Sequence, residues 1–172
     1  MTQSSKQYQL EKSLWTEEDF DTMGWHDSLV YAISFGENFQ LLFDIDYIFK
    51  WVLTGKTYHF WVSPCTLVFE NVYDLKFDLE FSGVELEIDD ITRENPQRPK
   101  NADYINRDIE MDWFIETQQG VISFKSVGYK HYVRQQPRYL PTQAIELKDR
   151  GGISFEKAAI DIDNAANISF KK

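Results

Sequence analysis

LLFDIDYIFKW, residues 41–51, decides how this chain is read: an apolar and aromatic run broken by two aspartates set one residue apart. As a strand over 41–48, it sends Phe43, Ile45 and Tyr47 to one face and Leu42, Asp44, Asp46 and Ile48 to the other. The two carboxylates then lie roughly 7 Å apart along the strand. Antiparallel sheets commonly solvate one face, so the expectation is that Asp44 and Asp46 occupy the wet side of a half-buried strand. The sharper alternative is a binding or metal site, because carboxylates inside an apolar run are costly unless a cation or hydrogen-bond donors meet them. A helix is the second choice for the stretch, with Phe43, Tyr47, Ile48 and Trp51 at helical spacing and Asp46 able to pair with Lys50.

Upstream, Thr16-Glu17-Glu18-Asp19 is an N-cap followed by acids, and Gly24 supplies a stop, so a short helix is expected over 17–23. Gly36-Glu37-Asn38 turns Leu29–Phe35 into the run that begins at Phe39, which predicts a hairpin. Downstream, Pro64 demotes Tyr58–Phe69 to two short strands or a bulged edge strand. Leu75, Phe77, Leu79 and Phe81 alternate with charged residues, and Val84, Leu86 and Ile88 do so again after Ser82-Gly83, which predicts a second hairpin with Phe77 and Leu79 in the core. Thr92–Asp103 reads as a polar loop with two prolines. Further strands are expected over Ile109–Glu116, over Val121–Tyr129 beyond the Gln119-Gly120 turn, and briefly over Ala144–Leu147, with a turn at Arg150-Gly151-Gly152. The architecture implied is mainly β, an antiparallel sandwich or partly closed barrel with a short N-terminal helix, and α+β is the alternative.

A length of 172 residues suits one domain, with 1–14 as a polar lead-in and 156–172 as a loosely attached tail. Neither a membrane-spanning run nor the apolar centre of a secretory signal is visible, so the expected address is the cytoplasm, with no membrane partner. Cys65 is the single cysteine, which excludes an internal disulfide and suggests a packed core residue. Residues 1–90 hold five lysines, no arginine and seventeen acids, a net of −12, whereas all six arginines follow position 92. Such an acidic half argues against nucleic-acid binding and favours a basic protein partner. The basic and aromatic stretch from Lys125 to Tyr139 is then expected to pair with the acidic half of the same molecule.

Two chemical readings compete. A site built from His26, Asp27, Asp44 and Asp46, joined by His59, would put imidazole and carboxylates around a divalent cation of unknown identity. A pocket lined by Trp25, Tyr47, Trp51 and Trp61 above His26, Asp44 and Asp46 would bind a small molecule or support a metal-assisted hydrolase. The ligand-binding candidates are thus Trp25, His26, Asp27, Asp44, Asp46, Tyr47, Trp51 and Trp61. No catalytic residue is assigned and no cofactor is expected, since GxSxG, HExxH and a phosphate-cradling glycine loop do not occur.

The blocks WHDS at 25–28, LLFDIDYIFKW at 41–51, FWVSPCTLVFE at 60–70 and RGGISF at 150–155 resemble those of a group of bacterial proteins without an assigned activity. The resemblance runs from about Trp25 to Phe155 and implies a bacterial cytosolic setting. The function expected is a non-enzymatic protein-binding module, in the manner of an immunity protein that neutralises a basic partner. The alternative is the small-molecule binder or hydrolase.

Overall fold

A computed structural model describes residues 7–163. Its strands are β1 (Leu14–Thr16), β2 (Ser28–Phe35), β3 (Leu41–Thr54), β4 (Thr57–Glu70), β5 (Tyr73–Leu79), β6 (Leu86–Gln97), β7 (Glu110–Thr117), β8 (Gly120–Ser126), β9 (Gly128–Val133) and β10 (Arg138–Leu140). All pair antiparallel in the order β1-β9-β4-β3-β2-β6-β7-β8-β5, with β10 beside β4, and the sheet does not close into a barrel. A 3-10 helix (Glu17–Thr22) follows β1, capped reciprocally by Thr16 and Asp19, and a single α-helical turn, α1 (Ala102–Ile105), follows β6. No helix among the described residues is long and apolar enough to cross a membrane.

The 41–51 stretch is a strand, and its period of two places Phe43 and Ile45 wholly inside. The sheet curls until its two halves share one core. Phe69 of β4 meets Trp113 of β7 and Phe124 of β8, with ring centres 5.2 and 4.7 Å apart. Cys65 is sealed in this core, and burial pushes its thiol pKa up, as a small packed residue requires.

Four expectations are corrected. Pro64 lies inside one continuous strand, not between two. Its carbonyl accepts from Arg134 N at 3.0 Å, so its nitrogen faces the same edge, in the gap where β9 (pairing from Cys65) has ended and β10 (pairing to Val62) has not begun. The missing N–H therefore breaks no ladder bond there. The second hairpin does not form, because β5 pairs with β8 and two strands separate it from β6. Alternation fixed the inward face but not the partner: Phe77 sits opposite buried Ile122 yet stays 42 % exposed at the sheet's end. Residues 92–97 continue β6, Thr92 opposite Phe114 and Gln97 opposite Glu110, with a register shift that accommodates Asn95 and Pro96. Ala144–Leu147 is irregular chain leading into a turn rather than a strand, and Ile145 alone of its residues is buried.

Candidate functional site

Asp44 and Asp46 share a face of β3 as their spacing requires, but that face is dry. Both are 0 % exposed, because residues 140–160 run back across the outside of β2, β3 and β4. The wet-face expectation fails for want of one fact, that another segment covers the sheet.

Arg150 explains how two carboxylates tolerate this. Its Nη1 and Nη2 each donate to Asp44 at 2.7 Å, a bidentate pair, while Nε reaches Asp46 Oδ1 at 3.2 Å. Arg134 adds a second cation, donating from Nη2 to Asp44 Oδ1 at 2.7 Å and from Nη1 to Thr66 Oγ1 at 2.7 Å. Backbone completes the shell: Ile145 N donates to Asp46 Oδ2 at 2.7 Å and Ser154 N to Asp44 Oδ2 at 2.9 Å. Tyr31, at a bulge in β2, donates to Asp46 Oδ2 at 3.2 Å and bonds the Ile145 carbonyl, and the Arg150 guanidinium lies 3.9 Å over its ring.

Two charges of each sign cancel here, and every carboxylate oxygen is met. Burial pushes the Asp46 carboxyl up, against the pull of Ile145 N–H and Arg150. For Arg150 burial works to lower the pKa, and the two aspartates outweigh it, so its proton is held more firmly than usual. Gly151 and Gly152 both have positive φ, 82° and 84°, which lets the chain double back so that Arg150 enters the sheet face and Ser154 returns to Asp44. Chemically this is a clasp that fastens the C-terminal segment, with no acid or base left free to react.

The remaining candidates are divided between the two faces of the sheet. Trp25 is a core residue, edge-on to Tyr47 and Tyr129, and Tyr47 accepts from Gly24 N with its hydroxyl pKa pushed up to about 12 by burial. Trp51 and Trp61 belong to the far end of the β3–β4 hairpin but to opposite sides of it, since Trp51 pairs with Phe60 and Trp61 with Lys50. His59 stacks on Tyr139. Among the described residues no three His, Cys, Asp or Glu side chains are arranged to hold a metal ion. The eight residues thus do not line one concavity.

His26, Asp27 and Trp51 do come together. His26 stacks on Trp51 at 5.8 Å between ring centres, its Nδ1 donates to the Asp89 carbonyl at 3.0 Å, and Nε2 lies 3.5 Å from Asp27 Oδ1. Beside them Glu87 has its carboxyl pushed up, first by burial and then by Asp27, Asp89 and Glu85. No family model, curated protein or solved structure matches this chain.

Arg134 lies in the basic stretch expected to pair with the acidic half, and it does so at Asp44, a partner the sequence did not name; Arg150 and Tyr31 were missed, as were Glu87 and Asp89 as neighbours of His26. One signal was available for Arg134 and Arg150: arginines confined to one half of the chain and acids concentrated in the other.

Proposed function

We propose that this protein is a non-enzymatic binding module for a basic protein partner, acting in a bacterial cytoplasm. The observation that carries the reading is the cluster of Asp27, Glu85, Glu87 and Asp89 set against the exposed His26–Trp51 stack. The charged form of Glu87 is disfavoured by burial and by the neighbouring acids and gains when a cation arrives, so a lysine- or arginine-rich surface would be stabilised there. Next to them the hairpin end exposes Trp51, Leu53 and Tyr58, and aromatic side chains are the usual anchors at the centre of interfaces. Neutralising a basic toxin is one form such binding would take.

The test is a pull-down from the native host with wild type, Trp51→Ala and a Glu87→Gln/Asp89→Asn double variant, at low and high salt. The reading expects a basic protein retained by wild type at low salt and lost with either variant and at high salt. A partner held equally by all three, or none at low salt, would contradict it.

A further inference from the structure

β5 closes the sheet order on one side and pairs, among the described residues, only with β8. Glu80 N donates to Gln119 O at 2.9 Å, and the Asp78 carbonyl lies so near Gly120 that a Cβ there would meet it at 2.0 Å. Residues of one parity, 76, 78 and 80, therefore turn their backbone groups toward β8. Alternation then sends the N–H and C=O groups of Leu75, Phe77 and Leu79 outward, along an open edge. Such an edge is a template for another strand.

Its sequence suits one particular strand. Leu75-Lys76-Phe77-Asp78-Leu79 is self-complementary about Phe77. Laid antiparallel on a second copy with the two-fold axis at Phe77, the outward groups of Phe77 face those of Phe77, Leu75 meets Leu79, and Lys76 meets Asp78 twice. We propose that β5 is a dimerisation edge, joining two copies of this chain through β5 into one continuous antiparallel sheet. An unrelated basic strand would leave Lys76 facing like charge, whereas a second copy supplies Asp78. Lys76 Nζ lies 3.9 Å from Asp78 Oδ2 of its own strand, and with side chains 71 % and 80 % exposed both can exchange that loose pair for one with a second copy. Asp74, with φ of 53°, lies in the register shift between Tyr73 and Lys76, a break in the strand that keeps the acids at 74 and 80 from a direct pairing.

A ladder this short buries too little for a stable dimer by itself. The surrounding rim supplies more, because Phe39 stacks on Tyr73 at 5.1 Å and both are exposed, as are Phe77, Phe81 and Val84. About the same axis the Phe39–Tyr73 end of one copy lies beside the Phe81 end of the other, twice over.

Sedimentation velocity of the full chain across a concentration series tests the proposal, with circular dichroism to show that every variant is folded. Wild type is expected to dimerise. Lys76→Asp places two acids opposite two acids and Asp78→Lys places two lysines opposite two lysines, and each is expected to weaken the dimer about tenfold. Mixed in equal amounts, the two variants regain opposite charges at both positions and are expected to form a heterodimer as tight as wild type. A wild type that stays monomeric, or a dimer that neither single variant weakens, overturns the proposal.

Discussion

The clasp at Asp44 and Asp46 and the cluster at Asp27, Glu87 and Asp89 are both groups of carboxylates close to the same sheet, and they have opposite fates. In the first, two arginines, two backbone amides and a tyrosine meet every oxygen, so the charges can be wholly buried. In the second, the nearest donors are Gln118, Gln143 and His26, which leave the acids partly hydrated and mutually repelling. The difference is not in the acids but in what the second half of the chain brings to them. A paired buried charge organises the fold, while a cluster without arginine is left to bind something else.

Removing one partner from the clasp sharpens this contrast most. Arg150→Met leaves two aspartates in a dry site and should cost about 3–5 kcal/mol in urea unfolding. Changing Asp44 and Asp46 to asparagine strands Arg150 in the same way, with a similar loss. Combining all three substitutions should recover part of it, because no charge then remains unpaired apart from Arg134.

A buried polar group without a partner gives the next largest effect. His131 is 0 % exposed, neither ring nitrogen has a partner, and burial followed by the Arg134 charge pushes its pKa down to about 3. A folded pKa below the ordinary imidazole value means that stability is complete above about pH 6.5 and is lost as pH falls toward 3, reaching about 3 kcal/mol by pH 4. His131→Phe should remove that slope from an acid titration of stability, and a variant that keeps the same slope would place its origin elsewhere.

Edge and centre of the sheet can be separated in the same units. Ile122→Ala empties a fully enclosed position and should cost about 2–5 kcal/mol, whereas Phe77→Ala, its cross-strand neighbour, should cost only about 1–2 kcal/mol in dilute protein. Equal losses would mean that Phe77 is covered. Least of all, Glu87→Gln relieves repulsion at the surface and should stabilise by under about 1 kcal/mol, with the gain shrinking in salt.

Periodicity made much of the fold legible, and the reasons for its failures are physical. The strand through 41–51, the first hairpin, the capped turn at Glu17 and the β7–β8 pair all follow from alternation, caps and turn residues close in sequence. Partner choice did not follow. Leu75–Leu79 and Leu86–Ile88 each show a clean inward face, yet nothing local says that β8 rather than β6 lies beside β5. Pro64 misled because its missing N–H matters only if a strand pairs there, and β9 and β10 leave that place open. The parity of Asp44 and Asp46 was readable. Their dryness depends on Arg150, more than a hundred residues away, and Arg150-Gly151-Gly152 reads locally as a turn and nothing more.

Hydrogen exchange at the amides of Ile145 and Ser154 decides whether the clasp holds the C-terminal segment to the sheet. Both lie outside any strand ladder, and their N–H groups donate to Asp46 and Asp44. If the clasp is intact in the native state, these two amides exchange as slowly as those in the middle of β3 and β4 and lose that protection in Arg150→Met. Exchange at the pace of exposed turns in the wild type would show that the segment opens independently of the sheet, and that Asp44 and Asp46 are not held as described.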